Sequence, residues 1–141
     1  YYGSNTTNAK DLATMMYKIY SYDCLGEEYD KKMIALFKKS KTNSKIPKRL
    51  PKTLEIAHKT GSLPLYEHDA GIVYSDSRDF IFAAMSNELK SNRDGQLVIS
   101  TIAKITYEHM IEKQKKLEIE MLNSFNFNQI LYWSSQRIYY K

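Results

Sequence analysis

Lys59, Thr60 and Gly61 stand together after the apolar run Leu54–Ala57, giving a positive charge, a hydroxyl and a position without a side chain in succession. A hairpin would ordinarily turn on Asn-Gly or Asp-Gly, so the tripeptide is either an unusual strand-end turn or part of an active site. Other candidates surround it. His58 precedes it and reads as a strand residue hydrogen-bonded locally. His68 and Asp69 are adjacent and could suggest a metal or acid/base pair, but no third ligand follows at useful spacing, which favours a structural role. His109 falls on a long helix as a surface or locally satisfied position. Cys24 is the single cysteine, which excludes an internal disulfide and Cys-rich zinc sites. No metal or organic cofactor is implied. The basic stretch Lys38–Lys52 could contact a polyanion. It carries no interleaved aromatic residues of the kind that stack on bases, so it reads as a solvated loop and no nucleic-acid partner is expected.

The 141 residues are one domain's worth of chain, 43% hydrophobic and 26% charged with formal charge +5, a composition that forms a core. Twelve tyrosines, with abundant Lys and Asn, fit the codon habit of an AT-rich genome. No apolar run is long enough for a membrane span, and no signal peptide stands in this chain. Thr7 or Asn8 can cap a first helix with Asp11 in its first turn, and Ala9, Leu12, Ala13, Met16 and Tyr20 share one face. A second helix is expected over Glu27–Lys39 with Tyr29, Met33, Leu36 and Phe37 as its stripe. The proline- and lysine-rich stretch 40–52 reads as a loop. Three strands follow: Thr53–His58, with Leu54 and Ile56 on one face, then Ala70–Tyr74 and Asp79–Met85. The polar cluster Ser75–Arg78 turns between the last two. A long helix over Gly95–Ser124 is expected to bury Val98, Ile102, Ile105 and Met110, and an aromatic tail follows. The order predicts an α+β fold, an antiparallel sheet of three strands packed with helices.

At the end of its predicted strand, Lys59-Thr60-Gly61 resembles the K-T-G motif of penicillin-recognising serine enzymes, the class A β-lactamases and the D-alanyl-D-alanine peptidases. The segment 68–86 resembles the two strands that follow K-T-G in that family, and 5–16 resembles the helix start that precedes it. The stretch from Ile46-Pro47 to Leu50-Pro51 is similar to the loop leading into the K-T-G strand. The resemblance covers roughly residues 4–110. It implies acyl transfer to a serine followed by hydrolysis, on a β-lactam or a D-Ala-D-Ala peptide. It implies a substrate carboxylate bound by the Lys59 charge and the Thr60 hydroxyl, clearance for substrate at Gly61, and the Ser62 backbone N–H as an oxyanion donor. It further implies a secreted or cell-surface location for the parent protein.

The family's serine followed three residues later by lysine is missing, since no serine here has lysine at that spacing. An S-x-N motif occurs as Ser124-Phe125-Asn126, after the K-T-G rather than before it, and reads as chance. The resemblance therefore implies the C-terminal portion of a β-lactamase-like domain over 1–111, without the nucleophile, followed by a helical extension and tail over 112–141. It also implies an open edge on the strand 79–85, to be covered by a complementary N-terminal half, a second copy of the chain or the aromatic tail. The alternatives are a D-Ala-D-Ala peptidase-like protein, a non-catalytic cell-wall or β-lactam binding module, and, more remotely, a basic polyanion-binding protein.

Overall fold

The structure is a computed structural model that describes residues 6–136, with side chains described through residue 124. Helix α1 spans Ala9–Tyr20 and α2 spans Glu27–Lys38; a single 3-10 turn, Ile46–Arg49, leads to strands β1 (Ile56–Leu63), β2 (Tyr66–Val73) and β3 (Phe80–Ser86), and helix α3 spans Asn92–Gln136. The sheet is antiparallel in the order β1-β2-β3, giving the α+β architecture that the sequence predicts.

Alternation along the strands sorts the core into two layers. Val73, Phe80 and Phe82 face one side and pack with Ile46, Leu50, Ile99 and Ala103. Ala57 and Ile72 face the other side and pack with Ile19 of α1 and Ile34 of α2. The sheet therefore lies between α3 with the 3-10 turn on one side and α1 with α2 on the other. Each fully buried isoleucine contributes about 1.5–3 kcal/mol of transfer free energy. Asn8 caps α1, its side chain accepting from Asp11 N–H at 3.0 Å. The α1–α2 loop is held from within by Asp30, which is buried and accepts from the N–H groups of Cys24 and Leu25.

Several elements differ from expectation, each for a physical reason. β1 begins at Ile56 rather than Thr53 and runs through Lys59–Ser62 instead of stopping before them. An outer strand tolerates polar residues because one of its edges and part of its face need no apolar neighbour. β2 begins at Tyr66, four residues early, because Pro64 and Leu65 make a two-residue turn with Leu65 at φ 65°. α3 starts at Asn92 and runs 45 residues, roughly 68 Å at the helical rise. Its buried face is Ile99 and Ala103, with Tyr107 and Met110 packed against the core. Val98, Ile102 and Ile105 are exposed, so the apolar face is rotated by about one position from the expected one. On α2, Tyr29 and Leu36 are exposed, while Ile34, Met33 and Phe37 make the contact. The aromatic tail lies largely outside the described residues. β3 pairs with β2 on one side, and among the described residues no strand pairs with its other edge.

Gly71 has no room for a side chain beside β1: a Cβ there would stand 2.6 Å from the Ala57 carbonyl oxygen and 2.6 Å from His58 Cβ. At Gly61 a Cβ would meet only His68, at 3.5 Å, an ordinary contact. Gly71→Ala is expected to destabilise the chain by about 1–3 kcal/mol through overpacking, and Gly61→Ala to stay within about 0.5 kcal/mol of the parent. Urea midpoints of the two variants measure the difference.

Candidate functional site at the edge of the first strand

β1 is an outer strand, and its hydrogen-bond phase decides which backbone groups a ligand could reach. Each residue of β1 pairs with the β2 residue that brings the sum of their numbers to 129, as in Lys59 with Ala70 and Gly61 with His68. The bond from Tyr74 N–H to the Glu55 carbonyl, at 3.0 Å, fixes the phase. In an antiparallel ladder, residues that exchange both bonds alternate with residues that exchange neither. Lys59 and Gly61 therefore direct N–H and C=O toward β2, while Thr60 and Ser62 direct theirs to the open edge. The Lys59 ammonium, which donates to the Thr60 carbonyl at 2.7 Å, lies beside that edge.

Lys59, Thr60, Gly61 and Ser62 are thus contiguous on β1, with successive positions on opposite faces. Lys59 and Gly61 share a face with His68, and Thr60 and Ser62 share the other with Asp69 and Glu67. His68 accepts from Ser86 N–H through Nδ1 at 3.3 Å, which leaves Nε2 as its donor nitrogen. A cleft of about 420 Å³ bounded by Thr7, Asn8, Tyr66, His68 and Met85 opens on the Lys59–Gly61 face.

Beneath the Thr60–Ser62 face lies a polar network absent from the sequence-based expectations. Lys45, from the stretch read as a solvated loop, is 1% exposed. Its ammonium pairs with Glu67 and donates to the Gly61 carbonyl at 2.8 Å, to the His68 carbonyl at 2.9 Å and to Ser62 Oγ at 2.9 Å. A buried ammonium is costly unless it is paired and hydrogen-bonded, and the hairpin register supplies all four acceptors in one place. Glu67, also 1% exposed, accepts from Ser62 Oγ, Asn92 Nδ2 and Gln96 Nε2 at 2.9, 2.9 and 3.0 Å. Burial alone would raise its pKa, but hydrogen bonds from Lys45, Asn92, Gln96 and Ser62 outweigh that and hold it at about 2. Asn92, at the start of α3, also grips the turn, donating to the Leu63 carbonyl at 2.8 Å and accepting from Leu65 N–H at 3.0 Å. His58 and Asp69 form a second buried pair, Nδ1 lying 2.9 Å from Oδ1, and Asp69 accepts from Ile46 N–H at 3.1 Å. That pair ties the 3-10 turn to the sheet. Cys24 and His109 are exposed. Among the described residues no three His, Cys, Asp or Glu side chains converge as metal ligands.

No local sequence signal marks Lys45 or Glu67. They lie 22 residues apart in the chain, and only the register of the β1–β2 hairpin brings their partners together.

A three-stranded antiparallel sheet with helices on both faces is the architecture this chain shares with known β-lactamase and penicillin-binding structures. The chain belongs to the β-lactamase enzyme family, whose model matches residues 3–110. Among solved structures it is similar to PBP-A, at 29% identity and a TM-score of 0.72 over 78% of this chain and 42% of that one. It is also similar to a PBP-A mutant described as an acyl-enzyme complex with penicillin G, at 30% identity and a TM-score of 0.69, again over 78% and 42% of the two chains. The TLA-3 extended-spectrum β-lactamase has the same fold, at 19% identity and a TM-score of 0.70 over 74% of this chain and 42% of that one. The chain spans about two-fifths of the length of these structures. No curated protein matches it.

The Glu67 pKa gives a prediction with a definite sign. Its folded value lies below the ordinary 4.5, so the unfolded chain binds more protons as the medium is acidified. The contribution is complete above about pH 4.5 and is lost as pH falls to about 2, some 3 kcal/mol at about 1.4 kcal/mol per pKa unit. Glu67→Gln is expected to remove that slope and, by leaving the Lys45 charge buried without its partner, to cost about 3–5 kcal/mol near neutrality. Urea unfolding from pH 2 to 7 measures both.

Proposed function

We propose that this chain supplies the K-T-G edge of a β-lactamase-like serine hydrolase site, and that the attacking hydroxyl belongs to polypeptide outside this chain. In that reading the substrate is a β-lactam or a D-Ala-D-Ala peptide, lying along the open edge of β1. Lys59 provides positive charge for its carboxylate, and a hydrogen bond between two charged groups is about twice as strong as a neutral one. The Thr60 hydroxyl contributes a second bond, and Gly61 keeps the strand surface clear. The Ser62 N–H donates to the carbonyl oxygen as it gains negative charge, an interaction worth roughly 3–4 kcal/mol in acyl transfer. Residues 1–111 carry this role, and 112–141 extend beyond it. A complementary half that supplies the nucleophile would cover the open edge of β3.

The observation that carries the reading is the combination at Gly61 and Ser62. The ladder directs the Ser62 amide out of the sheet, and nothing in the packing requires glycine beside it. A second reading, a module that binds the same ligands without turning them over, is favoured by the lack of any serine with lysine three residues later.

Benzylpenicillin is the direct test. Mass spectrometry after incubation with this chain alone is expected to find no covalent adduct, and an adduct on any serine here would overturn the assignment. In ¹⁵N spectra the ligand is expected to shift the Thr60, Gly61 and Ser62 amides, with Lys59→Ala weakening the affinity about tenfold, as for loss of a charge-assisted bond. Unshifted amides at those positions at millimolar ligand would sink both readings.

A further inference from the structure

The Gly61 carbonyl and the Ser62 N–H belong to one planar peptide group, so whatever holds one holds the other. The ladder turns the carbonyl inward and the N–H to the open edge. On the inward side the carbonyl accepts from the ammonium of Lys45 at 2.8 Å. The same ammonium binds Ser62 Oγ and the His68 carbonyl, so it grips the peptide's own residues and their neighbour on β2. Lys45 is itself fixed by Glu67, which is fixed by Asn92 and Gln96 of α3. Among the described residues no buried side-chain nitrogen or oxygen lacks a partner.

We infer that Lys45 is a positioning residue for the ligand site: a buried cation on the carbonyl side of the 61–62 peptide that fixes its plane and strengthens its outward N–H as a donor. The inference rests on the proposed role of Ser62 as an oxyanion donor and deepens it. Two physical effects act together. A planar amide held at its carbonyl loses the freedom to tilt its N–H away from an incoming oxygen, and donors that need no reorganisation are the effective ones in acyl transfer. A cation on a carbonyl oxygen also draws electron density through the amide, and hydrogen bonds in such chains reinforce one another in a low-dielectric interior. Lys45 touches no ligand in this arrangement; it acts through the backbone. A lysine satisfies the geometry because its compact ammonium has three donors that can diverge toward separate oxygens.

The test uses the chain Tyr1–Lys141 labelled with ¹⁵N and ¹³C, with benzylpenicillin as the probe. In the free chain the Lys45 ammonium is expected to exchange slowly with water and to show a scalar coupling across the hydrogen bond to the Gly61 carbonyl carbon. An ammonium without that coupling overturns the inference, whatever any variant does. The neutral pair K45M/E67Q removes the charge without stranding its partner. It is expected to shift the Ser62 amide proton upfield and to weaken benzylpenicillin binding about tenfold, the loss of about one good hydrogen bond, while the cross-strand contacts of β1 with β2 persist. K45R, which keeps a cation there, is expected to recover part of both. An unmoved Ser62 amide with parental affinity in K45M/E67Q contradicts the inference, and so does a loss matched by disruption across the whole sheet. If K45M/E67Q does not fold, the coupling in the parent chain decides. A parent chain that shows the coupling but no ligand response at Thr60–Ser62 rejects the site reading alone, which separates the two failures.

Discussion

The ion pair between Lys45 and Glu67 is the interaction on which the arrangement of the K-T-G strand depends. Both partners are almost wholly buried, and taking two such charges out of water costs several kcal/mol each unless the remaining donors and acceptors are satisfied. Here they are satisfied by groups from four parts of the chain: the segment before the 3-10 turn, β1, β2 and the start of α3. Such a pair is weak evidence for extra stability, since an apolar replacement can be equally stable. Its consequence is specificity of position. Breaking one contact leaves a buried charge without a partner, so the loop, the hairpin and the helix start are locked to a single mutual register.

That lock explains why an outer strand with a polar, glycine-containing centre stays ordered. Among the described residues β1 has one neighbouring strand, and its residues 59–62 bury little apolar surface. The turn after it places Leu65 at positive φ, where a residue with a β-carbon is strained. Asn92 offsets this by bonding both sides of the turn, and Glu67 continues the chain of contacts into Lys45. A second tie, His58 to Asp69 to the Ile46 amide, holds the other end of the strand against the 3-10 turn. Between the two ties the backbone of Thr60 and Ser62 faces the outer edge, where the Thr60 carbonyl accepts from the Lys59 ammonium. Rigid support on one side of the strand is what the proposed donor role of Ser62 requires.

Much of the fold was legible in the sequence because helices announce themselves through periodicity and caps. Thr7 or Asn8 with Asp11 mark the start of α1, the stripe containing Met33 and Phe37 marks α2, and the cluster Ser75–Arg78 marks the β2–β3 turn. Lys59-Thr60-Gly61 was conspicuous because that tripeptide is unusual after an apolar run. The strand limits were less legible. Pro64-Leu65 is not a common hairpin signal, so the β1–β2 turn went unrecognised, and with it the register that pairs Ser62 with Glu67. Lys45 looked like one more member of a basic loop, because burial of a charge is decided by partners distant in sequence and leaves no local trace. On α3, the valine and isoleucines at 98, 102 and 105 have helical spacing as good as that of Ile99 and Ala103, and only the packing against the sheet selects the second set.

The most direct measurement of the central claim is amide hydrogen exchange along β1. If the ladder phase and the buried cation hold the strand as described, the Lys59 and Gly61 amides, bonded to β2, exchange slowly, while those of Thr60 and Ser62 exchange orders of magnitude faster from a strand that is otherwise ordered. Equal protection of Gly61 and Ser62 would mean that the Ser62 N–H is already engaged within the chain, and the account of this edge as a donor site would be wrong.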